Sequence, residues 1–390
     1  MRLSAQISGI NAGGSDGWDV FYRARAMVAG GQDVIELTQG EHDIRTEQII
    51  LDAMHASASG GNTGYSAVPG LARLRQVVAE RLSTRTGVAT KPSNVQIVPG
   101  GQAGLFAALR ATCDPGDRAL FIDPYYATYP GTIRATGAVP VAVAARAEAG
   151  FVPDATDIAK AANGATALLI NSPNNPTGAV YPKPAIEGIA RICRDHDLWL
   201  ISDEVYDTQV WNGTHHSPRA EPGMAERTLV VGSMSKSHAM TGSRIGWVVG
   251  PEPAIAALGD LATNTTYGVP GFIQEAAIFA LAQGSDLEER IAAPFRRRRD
   301  MALQLLAGQN ILRVVPPDGA MYLMLDVRAT GLDGEGFANR LLDEEAIAVM
   351  PGESFGRAAA GHIRVAMTVD DAAFETALRR MVAAAARWTG

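Results

Sequence analysis

The feature that most constrains this chain is a recurring unit: a short, continuously apolar run, a turn, then a stretch with helical spacing. The runs are VQIV (95–98), ALFI (119–122), VPVAVA (139–144), ALLI (167–170), LWLIS (198–202), TLVVG (228–232) and RIGWVVG (244–250). A strand with one wet face alternates apolar and polar residues. Continuous runs of this length mark strands covered on both faces, as in a mostly parallel sheet between helices. Helical patterns such as QAGLFAALRATC (102–113) and KPAIEGIARICRDH (183–196) lie between runs, so the expected class is α/β, with a seven-stranded sheet. TLVVG and RIGWVVG are too close in sequence for a helical crossover, and the second of them is expected to run antiparallel.

After about residue 285 the pattern changes. DLEERIAAPFRRRRDMALQLLA (286–307) reads as a long charged helix, followed by candidate strands at 311–315, 321–327, 347–350 and 362–367 and two further helices. That is a smaller α+β domain. The helical stretch around WDVFYRARAMVAGG is expected to join it, because residues 1–40 carry too little core to stand alone. The expected division is an arm and helix over 1–44 belonging to the small domain, a large domain over 45–285, and the small domain over 286–390.

Composition removes several function classes. A net charge of −7 with no basic stripe argues against nucleic acid as a partner. No apolar stretch approaches the roughly 18 residues of a membrane span, and the opening MRLSAQISGINAGG lacks the apolar core of a signal peptide. Cys113 and Cys193 have neither disulfide numbers nor metal-ligand spacing. A cytoplasmic location is expected.

Chemistry is sought where open α/β sheets keep it, just past the carboxyl ends of their strands. VQIV runs into PGGQAG and a helix, where backbone N–H groups can meet an anion. ALFI runs into DPYYATYP, with Tyr125 and Tyr126 as flat surfaces. ALLI runs into NSPNNPTG, whose amides can bond a ligand oxygen. LWLIS ends at Asp203, with Tyr206 three residues on. A carboxylate buried there needs a cationic partner, unless it merely caps a helix. TLVVG ends in SMSK. The chain has only four lysines, and Lys91, Lys160 and Lys183 lie in polar or proline-flanked stretches. Lys236 alone stands where burial can depress an amine's pKa and make it a nucleophile or proton carrier.

The ordered set NSPNNPTG, SDEVY and SxSKxxxxxGxRxG, with LTQGEHD at 37–43 and PGESFGRAAAGHIR at 351–364, resembles the class I/II aminotransferases of pyridoxal-phosphate fold type I over nearly the whole chain. The resemblance implies a Schiff base between Lys236 and pyridoxal 5'-phosphate, with Asp203 as counter-ion to the pyridine nitrogen. It implies Asn175 and Tyr206 as donors to the cofactor's phenolic oxygen, and Tyr126 stacked on the ring. Gly101, Gln102, Ser233, Ser235 and Arg244 would hold the phosphate, joined by Tyr65 from the partner of a homodimer. Arg364 and Gly40 would receive the substrate carboxylate, with Asn175 beside them. The activity implied is ping-pong transfer of an amino group from an amino acid to a 2-oxo acid.

Segments such as GWDVFYRARA and TGLDGEGFANRLL resemble aminotransferases that take basic amino acids with pyruvate, the arginine–pyruvate transaminases. On that reading Trp18 and Tyr22 help form the side-chain pocket, with Glu41 or Asp43 as partner for a cationic side chain. The alternative is an aspartate-type enzyme using 2-oxoglutarate, for which a second cation would be needed. Further alternatives are another reaction on the same fold (carbon–sulfur β-lysis or cyclopropane-carboxylate synthesis) and a non-catalytic relative. Ser233-x-x-Lys236 also fits an element of the serine β-lactamases, but the companion S-D-N and K-T-G elements are missing. His215 and His216 read as a polar loop rather than a metal site. Departures from the family pattern, namely His42 where proline is frequent, Gln102 after the glycines and Tyr126 where tryptophan is frequent, all touch the substrate side.

Overall fold

A computed structural model describes residues 1–15 and 17–389. Among these residues twelve strands form two sheets. In chain order they are β1 (Ile35–Leu37), β2 (Val95–Val98), β3 (Arg118–Asp123), β4 (Val139–Ala144), β5 (Ala165–Asn171), β6 (Trp199–Asp203), β7 (Thr228–Ser233), β8 (Gly246–Val249), β9 (Arg313–Val315), β10 (Tyr322–Asp326), β11 (Ile347–Pro351) and β12 (His362–Ala366).

The large sheet has the order β2-β8-β7-β6-β5-β3-β4. Its strands are parallel except β8, which is antiparallel to both neighbours as its short connection requires. Burial on both faces is visible within one strand. Ala167 and Leu169 of β5 pack with Leu105 and Leu109 of the helix Gly101–Thr112, while Leu168 and Ile170 pack with Ile158, Ile186 and Ile189 from helices on the opposite face. The edge strand β4 departs from the expectation. VPVAVA is apolar throughout, yet Val139 is exposed and only Val143 is buried on that strand among its valines, because an edge has a neighbour on one side only.

The small sheet has the order β1-β11-β12-β10-β9. β1 was not evident in the sequence. Three residues are too few for a periodicity, and the strand exists because it pairs in parallel with β11, Ile35 opposite Ile347. The helix Asp19–Ala29 contributes Val20 and Ala24 to the same core as Leu37, Phe337, Leu341, Val349 and Phe374. The long helix Ser285–Leu306 spans the region, and its buried Arg298 pairs with both Asp43 and Asp371. A seven-stranded α/β layer thus meets a smaller α+β layer, and residues from both line one large cavity.

Candidate active site

That cavity encloses about 1360 Å³. Into it run the residues that follow β2, β3, β5, β6 and β7, together with Gln39–Glu41, Ile10, Asn11, Ser15, Gly17, Trp18, Tyr322 and Arg364. The strand ends singled out in the sequence therefore do converge.

At one end lies the first turn of the helix Gly101–Thr112, whose N–H groups have no partner within the helix. The preceding Gly100 has φ 84°, and a Cβ there would overlap the Arg244 guanidinium. Glycine is thus what lets Arg244 lie across this helix start. Arg244 itself has φ 52°, a left-handed turn that ends the loop before β8 and explains why that strand begins two residues later than its apolar run. Its guanidinium donates to Thr241 O at 2.8 Å. Ser233 and Ser235 line the same cavity, their hydroxyls 2.9 Å apart. The Gln102 amide is taken up by Thr132 and Thr128, which leaves its backbone rather than its side chain for an anion.

Further along, Asp203 is buried and has no cation partner among the described residues. Its Oδ2 accepts from the Tyr129 hydroxyl at 2.6 Å and its Oδ1 from Val205 N at 3.3 Å. Burial pushes its carboxyl up to about 6, against the hydrogen bonds, which lower it. Tyr126 stands edge-on to Tyr129 at 5.9 Å between centroids, its phenol pushed to about 12 by burial.

Lys236 sits on a single helical turn, Met234–Ser237. Its Nζ donates to the carbonyl of Gly40. In so short a helix the Met234 carbonyl still accepts from His238 N at 3.1 Å, while the Lys236 carbonyl is held by His42 Nε2 at 2.9 Å and Gln209 Nε2 at 3.3 Å. Desolvation, with Arg364 and Arg244 adding to it and Glu41 opposing, brings the Lys236 amine down to about 8. Burial also drives His42 down to about 3, so it is neutral. Facing a carbonyl, its Nε2 must carry the proton.

Arg364 closes the far side. It is fully buried, donates to Asn175 Oδ1 at 2.9 Å and to the Thr38 carbonyl, and stacks against Tyr322 and Phe355 at 4.5 and 4.3 Å. Its Nε has no hydrogen-bond partner among the described residues, and no carboxylate pairs with it. A buried guanidinium that lines the cavity without a carboxylate partner is suited to an anionic ligand.

The amino-acid sequence matches the family model for aminotransferase class I and II over residues 32–381. The chain belongs to the class I and II aminotransferases. It is 42% identical to the arginine–pyruvate transaminase of Pseudomonas aeruginosa across 100% of both chains, and 37% identical to the aspartate/prephenate aminotransferase of Thermus thermophilus over 90% of each. The solved structure of the aspartate aminotransferase from Thermus thermophilus with maleate superimposes with a TM-score of 0.92 at 35% identity, covering 98% of this chain and 100% of that one. This aminotransferase depends on pyridoxal phosphate and transfers an amino group from an amino acid to a 2-oxo acid. The cavity fits the cofactor: a depressed buried lysine, a buried carboxylate lacking a cation, and an anion cradle of helix N-terminus, two serines and an arginine all face one space.

One sequence expectation is corrected here. Asp43 is not available to a cationic substrate, since both its oxygens bond Arg298 at 2.9 and 2.6 Å. Glu41 does line the cavity, held by Thr241 Oγ1 at 2.9 Å. Trp18 and Tyr22 line it too. Tyr65 lies outside it, 91% exposed and edge-on to Tyr267. His215 bonds Glu204 at 3.1 Å, and no cluster that could hold a metal occurs among the described residues. Nor is any described helix long and apolar enough to cross a membrane. Sequence reasoning missed Tyr129, Gln209 and Tyr322. Tyr129 was in view in DPYYATYP, three residues past Tyr126, but its bond to Asp203 depends on how β3 and β6 are placed.

Proposed function

We propose that the enzyme takes a basic L-amino acid as amino donor, with pyruvate as acceptor. The observation that carries this reading is Glu41, a carboxylate in the cavity wall next to Gly40 and close enough to Lys236 to raise its pKa. The full-length similarity to an arginine–pyruvate transaminase supports it. Lys236 and Arg244 are assigned to the cofactor and Arg364 to the α-carboxylate. Among the cavity's cations only Arg134 is then left for a second carboxylate, and it already donates to Ile10 O at 2.9 Å.

In this reading pyridoxal phosphate supplies an aldehyde to carry the amino group and a ring to take up the electron pair left at the α-carbon. The first turn at Gly101 and Gln102, Ser233, Ser235 and Arg244 would hold its phosphate. Asp203 would give the pyridine nitrogen a counter-charge, which would offset the desolvation of that carboxylate. Asn175 and Tyr206 would be the donors for the phenolic oxygen, and Tyr126 would lie against the ring. Arg364 fixes the substrate carboxylate, with Gly40 and Trp18 close by. Lys236 Nζ would be the group that takes up the substrate's α-proton. With a pKa near 8 the amine is a usable base close to neutrality.

We further propose a homodimer. Ile49, Leu51, Tyr65, Tyr267 and Phe279 are exposed apolar or aromatic residues on and around the helices Gln48–Ser59 and Gly271–Leu281, and Tyr65 would reach the partner's phosphate site.

A half-reaction screen tests the substrate. Each amino acid is added singly and the absorbance of the cofactor–lysine linkage is followed, after borohydride reduction has located a pyridoxyl adduct on Lys236. Arginine, lysine or ornithine should react fast, and Glu41→Gln should slow them by roughly 10-fold or more, as for loss of a charged hydrogen bond. The specific rival is a dicarboxylate, with Arg134 as second cation. Rapid reaction of aspartate and glutamate with none from the basic set would establish it.

A further inference from the structure

Asn175 and Tyr206, the two donors assigned to the cofactor's phenolic oxygen, meet at one atom that no sequence motif announced. The Tyr322 hydroxyl lies 2.8 Å from the Tyr206 hydroxyl and 3.3 Å from Asn175 Nδ2. The same ring stacks under the Arg364 guanidinium at 4.5 Å, and Arg364 donates to the Oδ1 of that same Asn175 at 2.9 Å. Arg364, Asn175, Tyr322 and Tyr206 therefore form one continuous chain of contacts. All four are buried, so water cannot substitute for any link without opening the core.

We propose that Tyr322 is a positioning residue that ties the carboxylate clamp to the cofactor-oxygen donors, so that filling the clamp is felt at the cofactor. The proposal rests on the roles given above to Arg364, Asn175 and Tyr206. Two neighbours hold Tyr322 in place. A Cβ at Gly40 would overlap its hydroxyl, so only glycine there lets the phenol reach both donors. On the other strand side, β10 pairs antiparallel with β12, setting Tyr322 opposite Ala366, two residues from Arg364.

The coupling has a definite sign. The groups around the Tyr206–Tyr322 pair are Arg364, Tyr126 and Asp203, with the Lys236 amine also under the influence of Arg364. Unfilled, the Arg364 cation disfavours a second positive charge at the cofactor–lysine nitrogen. A carboxylate bound to it cancels that field and lets Asn175 and Tyr206 shift with the arginine, so the nitrogen should hold its proton to higher pH.

The test is an absorbance titration of the cofactor-loaded enzyme with and without saturating propionate. This monocarboxylate can occupy Arg364 whatever the side-chain specificity. The wild type should titrate at higher pH with propionate present. Tyr322→Phe keeps the ring on Arg364 and removes only the hydroxyl. Its propionate-induced shift should fall to half or less, while propionate still binds within about threefold of wild type. A full shift in Tyr322→Phe overturns the proposal, because direct electrostatics then accounts for all the coupling. No shift in the wild type sinks instead the assignment of Arg364 as the clamp. A merely structural role would change stability without moving the shift, which makes the titration decisive. Tyr322→Leu, which also loses the stacked ring, should weaken propionate binding, and unaltered binding there counts against the stacking as part of the device.

Discussion

At the scale of single residues, Asp203 is the group whose state depends most on what is bound. Without a cation beside it, burial raises its carboxyl to about 6. A folded-state pKa above the unfolded value means that the stabilisation is complete below pH 4 and is lost as pH rises through 6. A cationic pyridine nitrogen reverses this by favouring the ionised form. The cofactor should thus stabilise the protein more at pH 7 than at pH 4, apart from any change in its own affinity. Asp203→Asn keeps the size and the Tyr129 contact but removes the charge. We expect it to retain cofactor through the phosphate cradle while turnover falls by roughly 10²–10³-fold, the scale for loss of a preorganised electrostatic group. Cofactor content by absorbance and turnover on the same samples check this. Near-normal turnover would mean that another group holds the nitrogen.

At the scale of elements, the one-turn helix carrying Lys236 is held mainly by side chains from elsewhere. Ser233 caps it through Ser235 N at 3.0 Å, His42 and Gln209 take the Lys236 carbonyl, and His238 at its end bonds Ser237 Oγ at 2.8 Å. Both histidines are buried and neutral, with burial bringing His42 to about 3 and His238 to about 4. Their stabilising contribution is full above pH 6.5 and lost as pH falls toward those values. By pH 4 the loss is about 3 kcal/mol for each, at 1.36 kcal/mol per unit. Urea unfolding of the cofactor-free enzyme should therefore weaken markedly between pH 7 and pH 4. His42→Gln, which can still donate to the Lys236 carbonyl, should lose less over that interval. An identical loss in the variant would place the acid sensitivity elsewhere, for instance at the carboxylates paired with Arg81, Arg85 and Arg298.

For the whole molecule, the question is what covers the aromatic and apolar residues on and around the helices Gln48–Ser59 and Gly271–Leu281. The homodimer proposed above buries them, and it predicts that activity and assembly are lost together. Sedimentation at falling protein concentration, run beside an activity assay, checks this, and a fully active monomer would refute it. Tyr65→Phe should leave the dimer intact but release cofactor about tenfold more readily, the effect of one hydrogen bond to a charged group. Unchanged cofactor affinity would remove Tyr65 from the phosphate site.

The amino-acid order alone determined the layered α/β class, the antiparallel turn of β8 and the polar groups at each strand end. Burial on both faces and tight turns leave local marks in composition and spacing, and Lys236 stands out because it is one of four lysines. Tertiary structure decided the rest. β1 exists only through its pairing with β11. Asp43 belongs to Arg298 rather than to the cavity because a helix 255 residues away brings that arginine to it. Tyr129 and Tyr322 join the site through strand order and the register of β10 on β12. Such pairings are set by long-range packing, which no periodicity in a single sequence encodes.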